Sequence, residues 1–110
     1  MSKFNMNISN KDNLLKAIDE YPILTKNAKV ILKAIIMFDD PIPADSIVQA
    51  TGIAKQVVYP ALNKLFSLKL IMKNKSIERS YYLYSVNEAN LFKVLDLYSK
   101  TQLIKEKINS

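Results

Sequence analysis

The sequence predicts a mainly helical domain with one small β-hairpin and a long C-terminal helix. Apolar residues recur at helical spacing along much of the chain. One predicted helix ends at the single glycine, Gly52, and another begins within three residues. A polar stretch and the strand-forming segment Tyr81–Val86 then precede the last helix.

The composition is that of one basic domain. The 110 residues, 49% of them apolar, suffice for a single hydrophobic core. The net charge of +6 favours a polyanionic partner, either nucleic acid or an acidic membrane surface. The absence of Cys and His excludes thiolate and imidazole metal sites and Ser–His or Cys–His catalysis. We therefore expect no enzyme activity, no catalytic residues, no metal and no cofactor.

The N-terminal residues, 1–10, are polar and predicted to be flexible. They lack the cationic start and apolar block of a signal peptide. No apolar run approaches the about 20 residues that span a membrane. We expect a cytoplasmic protein with no membrane partner.

The first two helices have boundary signals in the sequence. Asn10 or Asp12 is placed to cap the first helix, which continues to about Tyr21. Thr25 is the expected N-cap of the second helix, which continues to about Phe38. The second helix carries an apolar stripe predicted to be core, made of Ala28, Ile31, Leu32, Ile35 and Ile36.

A helix, a tight turn and another helix follow. Pro41 and Pro43 separate the second helix from a short one at about Ala44–Thr51. Gly52 suits the positive φ of a helix C-terminus, and the next helix is predicted from Ala54 to about Leu68. Its predicted buried face holds Val58, Leu62, Leu65 and Leu68, and its outward face holds Lys55, Gln56, Tyr59, Asn63 and Lys64.

The hairpin is predicted to have two strands, with its tip in the polar stretch Lys73–Ser80. Tyr81, Tyr82 and Tyr84 have two interpretations, stacking on single-stranded bases or ordinary strand packing. Strand alternation favours packing and places at least one of them in the core. Asn87 is expected to cap the last helix, from Glu88 to about Ile108. We assign residues 11–86 to the main body of the domain and 87–110 to a dimerisation helix.

A helix-turn-helix followed directly by a hairpin is the order of a winged helix. Residues 46–86 hold six basic side chains and one acidic one, whereas the first 45 residues are balanced. The charge is therefore concentrated where a winged helix meets double-stranded DNA. Gln and Asn pair with adenine edges, and Lys reaches guanine or phosphate.

The chain resembles the TrmB and MarR-like winged helix-turn-helix transcription regulators over about Tyr21–Val86. The resemblance is carried by residues 24–30 (LTKNAKV), 50–53 (ATGI), 58–65 (VYPALNKL) and 70–71 (LI). It implies that the helix containing Lys55–Lys64 enters the major groove. It also implies that the wing contacts the DNA backbone or minor groove, through Lys73, Lys75, Ser76 and Arg79.

Two residues depart from that pattern. Ala54 stands where Ser or Thr would cap the recognition helix, and Pro60 falls inside it at a cost of up to about 3 kcal/mol. The helix is either kinked or starts late. A start near Val58 would make Pro60 a first-turn residue and would turn Lys55 and Gln56 into loop contacts.

The last helix has two apolar stripes. Leu91, Leu95 and Tyr98 form one stripe, and a neighbouring stripe is predicted to pair with a second copy of the chain. A homodimer would place two recognition helices about 34 Å apart on a palindromic DNA site. The predicted dimer contacts are Val94, Leu97, Thr101, Ile104 and Ile108.

Two function classes remain. The first is sequence-specific DNA binding, by a transcriptional repressor or a plasmid or virus partition or replication adaptor. The alternative is a protein-interaction module within a larger assembly, which should show an apolar patch on the second helix of the motif. Val57 and Tyr59 are the outward candidates for such a patch.

Three acidic residues lie close together in the sequence: Asp39, Asp40 and Asp45. Their position beside prolines suits turns and caps better than a cation site.

Overall fold

The computed structural model describes residues 8–38, 40–78 and 80–109. These residues form five helices and one small sheet, which confirms the predicted mainly helical class. The helices are α1 (Ile8–Asp19), α2 (Lys26–Met37), α3 (Ala44–Thr51), α4 (Lys55–Ser67) and α5 (Glu88–Asn109). The strands are β1 (Ile42–Pro43), β2 (Ile71–Lys75) and β3 (Tyr82–Val86).

The first two helices pack against each other through an ion pair as well as apolar side chains. Helix α1 begins at Ile8, earlier than the predicted caps, and residues 1–7 of the predicted flexible segment lie outside the described residues. Thr25 caps α2 as predicted, because its hydroxyl accepts a hydrogen bond from the Ala28 amide at 3.2 Å. The Lys33 ammonium on α2 lies 2.6 Å from the Asp19 carboxylate at the end of α1.

One hydrophobic core holds these elements together. The predicted stripe of α2 is buried in full, and α1, α3, α4, β2 and α5 each contribute fully buried side chains. The largest of these side chains are Leu14, Ile18, Ile31, Leu32, Ile47, Val58, Leu62, Leu65, Ile71 and Leu91. The core thus fixes α4 by one face and leaves its opposite face to solvent.

The turn between α3 and α4 has the predicted geometry. Gly52 has a φ of 72° and donates its amide hydrogen to the Val48 carbonyl at 2.8 Å. The Thr51 hydroxyl donates to the Ile47 carbonyl at 2.8 Å and accepts from the Ile53 amide at 3.2 Å. These bonds satisfy the end of α3 and direct the chain into α4 within three residues.

The predicted two-stranded hairpin is confirmed as β2 and β3, and a short third strand that was not predicted, β1, extends the sheet. The strand order is β1-β3-β2, and both pairings are antiparallel. The missed strand, β1, pairs Ile42 with Tyr84 and Pro43 with Leu83. A proline is tolerated there because β1 is an edge strand, where a missing amide donor breaks no inner ladder.

The connection from α4 to β2 closes with a helix-capping motif. Lys69 has a φ of 61°, and its amide donates to Phe66 while the Leu70 amide donates to Leu65. This is the Schellman arrangement, with lysine in the position that usually holds glycine. The Asn90 side chain of α5 donates to the Lys69 carbonyl at 2.7 Å. The root of the wing is therefore fastened to both α4 and α5.

Helix α5 lies against the core only in its first half. Leu91 and Val94 are buried, and Tyr98 is half-buried beside α1. Desolvation and a hydrogen bond from the Tyr98 hydroxyl to the Glu20 carboxylate raise the pKa of that phenol. Past Tyr98 the helix continues for another eleven residues to Asn109. In the described part of the chain, no helix combines the length and apolar character needed to cross a membrane.

Candidate nucleic-acid interface

Helix α4 presents a polar and basic face to solvent. Val58, Leu62 and Leu65 anchor its inner face, and Leu68 packs at the edge of the core. Because residues three and four apart share a helix face, this anchoring turns the other side outward. The five residues predicted to face outward are all exposed: Lys55, Gln56, Tyr59, Asn63 and Lys64.

Pro60 lies inside an uninterrupted α4, which begins at Lys55. The alternative of a late start near Val58 is therefore wrong, and Lys55 and Gln56 are helical. The first turn is held through the backbone, because the Val57 and Val58 amides both donate to the Ala54 carbonyl. Ala54 provides no side-chain cap, as its residue type implies. Pro60 has no amide hydrogen, so it leaves the Gln56 carbonyl without its usual helical donor.

The first turn of α4 is tied to α3. The Lys55 ammonium lies 3.3 Å from the Asp45 carboxylate and 5.9 Å from the centroid of the Tyr59 ring. Asp45 is in the first turn of α3, where the helix dipole stabilises a negative charge. Both partners of the ion pair are well exposed, so the pair contributes little to stability. Its consequence for binding is that an acidic group lies beside a predicted DNA contact.

The wing consists of β2, β3 and the turn between them. Lys75 ends β2 with an exposed side chain, and Ser76 is half-buried, with its amide donating to the Tyr81 carbonyl at 3.0 Å. Lys73 differs from Lys75, because its ammonium lies between the rings of Phe66 and Tyr82. Arg79, the fourth predicted wing contact, lies outside the described residues.

One of the three tyrosines lies in the core, as predicted, but burial does not alternate along the segment, because Tyr82 and Tyr84 share one sheet face and differ in exposure. Tyr84 is buried, whereas Tyr81 and Tyr82 are exposed. Burial raises the pKa of the Tyr84 phenol, and the neighbouring phenols of Tyr59 and Tyr82 raise it further. These side chains meet around a cavity of about 200 Å³ between α3, α4 and the wing. The cavity joins the exposed face of α4 to the wing in one concave surface.

Three residues of this surface make contacts with the predicted site lysines that the sequence analysis did not predict. Phe66 and Tyr82 hold Lys73, and Asp45 pairs with Lys55. Phe66 follows Tyr59 by seven residues and Asn63 by three, so the helical period places it on their face. That spacing was the available signal for Phe66. The other two residues come from distant segments, and no local pattern brings them to α4.

The acidic residues do not form a metal centre in the described structure. Among the residues it describes, no group of three His, Cys, Asp or Glu side chains is placed to hold a metal ion. Asp45 is engaged with Lys55, and Asp40 lies in the turn before β1. Asp39 lies outside the described residues.

The predicted dimer stripe of α5 divides into buried and exposed members. Val94 is 8% exposed and belongs to the core, so its assignment as a dimer contact is corrected. Val94 lies about one helical turn before Leu97, in the half of α5 that packs against the core. The other predicted members are exposed: Leu97, Thr101, Ile104 and Ile108. Leu97 and Thr101 also line a groove of about 330 Å³ between α1 and α5.

Comparisons with known proteins give likenesses of structure alone. No family model matches the chain, and no curated protein sequence matches it. A protein of the thermoacidophilic archaeon Sulfolobus tokodaii superimposes with a TM-score of 0.59 and 21% identity, over 89% of this chain and 95% of that one. A MepR mutant from S. aureus, bound to an oligodeoxyribonucleotide, superimposes with a TM-score of 0.59 and 13% identity, over 91% of this chain and 72% of that one.

A third structural neighbour is identified by its protein family. A MarR family transcription regulator superimposes with a TM-score of 0.58 and 12% identity, over 93% of this chain and 66% of that one. At such identities a likeness establishes the fold. The element order, the turn at Gly52 and the sheet agree with it. The chain therefore has the winged helix-turn-helix fold of MarR-family transcription regulators, as its resemblance to them predicted.

Proposed function

We propose that this protein is a homodimeric transcriptional regulator, acting as a repressor, that binds a palindromic site in double-stranded DNA. The observation that carries the proposal is the exposed polar and basic face of α4 beside a basic wing. Residues 46–86, which build most of this surface, carry a net charge of +5, and Asp45 adds one negative charge beside them. A structural neighbour bound to an oligodeoxyribonucleotide supports the same use of the fold.

The residues of α4 divide into two roles. Gln56 and Asn63 carry side-chain amides that form paired hydrogen bonds with adenine in the major groove. Lys55 and Lys64 reach phosphate or guanine, and the Tyr59 hydroxyl donates to phosphate.

The wing supplies contacts to the DNA backbone. Lys75, Ser76 and Arg79 are the residues that we assign to these contacts. Each side chain carries hydrogen-bond donors suited to phosphate oxygens, and two of the three are cationic. Lys73 is held between two rings and is not assigned to this set.

Protein contact through α4 is the weaker proposal. It would need a continuous apolar patch on the exposed face of the helix. The large apolar side chains exposed there are Val57, Tyr59 and Phe66. Lysine ammonium groups lie over two of these three, Lys55 over Tyr59 and Lys73 over Phe66. The surface is thus cationic at the points where such a partner would need it apolar.

The dimer proposal rests on the exposed half of α5. Leu97, Ile104 and Ile108 lie within one narrow stripe of a helix that extends beyond the core. Leu97 of this stripe also lines the groove between α1 and α5, which apolar side chains from a second copy of α5 would fill. Two copies related by a two-fold axis would bury the stripe against itself.

The proposed function is tested by titrating the protein against the DNA that flanks its own gene and against random DNA, at two salt concentrations. We expect tighter binding to the flanking DNA. Affinity should fall with salt, by a slope of about 0.9 in log K per log salt for each phosphate contact. Equal affinity for both DNAs with little salt dependence would refute the proposal.

Base contacts and phosphate contacts should respond differently to substitution. Asn63→Ala should lower affinity for the preferred site by about 1–3 kcal/mol and leave binding to random DNA nearly unchanged. Lys75→Ala should weaken binding to both DNAs equally and flatten the salt slope by about 0.9 for each phosphate that it no longer neutralises. The same titration measures both variants. If they behaved alike, the division between α4 and wing would be wrong.

Asp45 is expected to oppose DNA binding. Asp45→Asn should raise affinity for all sequences by about two- to fivefold, because it removes a negative charge and releases Lys55 from an exposed ion pair. The salt slope should steepen, since Lys55 becomes free for phosphate. Asp19→Asn is the matched control, because Asp19 pairs with Lys33 on α2 instead. An unchanged affinity for Asp45→Asn would place Lys55 outside the DNA surface.

A further inference from the structure

Lys73 occupies an unusual position for a wing lysine. It lies in the middle of β2, opposite Tyr84 in the ladder, and is half-buried. Side chains two residues apart on neighbouring strands reach each other diagonally across one sheet face. Tyr82 is such a neighbour, and its ring centroid is 4.8 Å from the Lys73 ammonium.

A second ring faces the same ammonium from the recognition helix. The centroid of Phe66, in the last turn of α4, is 5.0 Å from it. Both distances are within the about 6 Å over which the face of an aromatic ring attracts a cation. Phe66 is 43% exposed and Tyr82 46%, so neither ring is fixed by burial in the core. The Lys73 ammonium is the contact that the two rings have in common.

We propose that Lys73 is a positioning residue that fixes the wing against the recognition helix, instead of contacting DNA as the sequence resemblance implied. Its ammonium links β2 to α4 through Phe66 and to β3 through Tyr82. For its effect on DNA binding, this inference rests on the proposed function. The link itself is a property of the folded chain and is testable without DNA.

Lys75 provides the contrast, as a wing lysine that faces solvent. It follows Lys73 by two residues on the same strand face and is exposed. Among the described residues, the cation–ring pairs involve Lys55 and Lys73 and not Lys75. Likewise, none of the ion pairs between described residues includes Lys73. A phosphate would therefore compete with two rings for Lys73, whereas it meets no such competition at Lys75.

The first arm of the test measures folding alone. Lys73→Met keeps the aliphatic stem and removes the charge, and Phe66→Leu removes one ring. In a double-mutant cycle by chemical denaturation at fixed protein concentration, we expect a coupling of about two- to fivefold in the folding equilibrium constant. Lys73→Arg should retain the wild-type value, because guanidinium also stacks on aromatic faces. Additive single effects would overturn the proposal.

The second arm measures DNA binding, with Lys75→Met as the matched control. We expect Lys73→Met to weaken binding by the same factor at every salt concentration, because the wing loses its fixed angle while the protein neutralises as many phosphates as before. Lys75→Met should instead flatten the slope of log K against log salt by about 0.9 for each phosphate it had neutralised. Flattening by Lys73→Met to the same extent would overturn the positioning role. If the wild-type protein bound no DNA, the proposed function would fail, while the cycle would still decide whether the link exists.

Discussion

Ile104→Asp should convert the protein from a dimer into a monomer and weaken its binding to a two-half-site DNA by about a hundredfold or more. Ile104 lies in the middle of the exposed stripe of α5 and is 57% exposed in the single chain. An aspartate there would bring two carboxylates into an apolar interface, where unpaired charge costs several kcal/mol. Each released monomer would hold only one recognition helix.

Sedimentation at micromolar concentration and titration of a palindromic oligonucleotide measure the two effects. Leu103→Asp is the matched control, because Leu103 is 53% exposed on the same helix but faces away from the stripe. We expect this variant to remain dimeric and to bind DNA like the wild type. A wild-type monomer at micromolar concentration would refute the dimer. If Leu103→Asp disrupted the dimer and Ile104→Asp did not, the stripe would be assigned to the wrong face.

The helices were predictable because their signals are local. Thr25 before α2 and Gly52 after α3 each mark a boundary through chemistry that acts within a few residues. The strand β1 was missed for the opposite reason. Two residues, one of them a proline, carry no strand signal of their own, and they become a strand only because β3 lies beside them.

The candidate site shows the same limit. The outward residues of α4 followed from its apolar period, and the structure leaves all five exposed. The helical period did not predict which residues these side chains contact. Lys55 meets Asp45 from the preceding helix, and Lys73 meets a ring from α4. These pairs depend on tertiary packing, so the sequence pattern assigned both lysines to DNA alike.

Pro60→Ala should raise the free energy of unfolding by about 1–3 kcal/mol. Pro60 is exposed, so the substitution removes no core contact. It restores an amide donor for the Gln56 carbonyl and removes the ring that crowds the same turn of α4. Chemical denaturation measures the change, and Gln56→Ala is the control, with an expected change within about 0.5 kcal/mol because it alters only helix propensity.

The effect of Pro60→Ala on DNA binding tests why a proline occupies the recognition helix. Proline displaces the backbone locally and leaves the Gln56 carbonyl free on the surface that we propose meets DNA. If that local shape serves binding, the variant should be more stable and yet bind its preferred site more weakly, while binding to random DNA changes little. Greater stability with unchanged affinity would mean that the helix tolerates Pro60 without using it. A loss of stability would contradict the placement of Pro60 in the interior of α4, because only a first-turn or loop proline gains nothing from replacement.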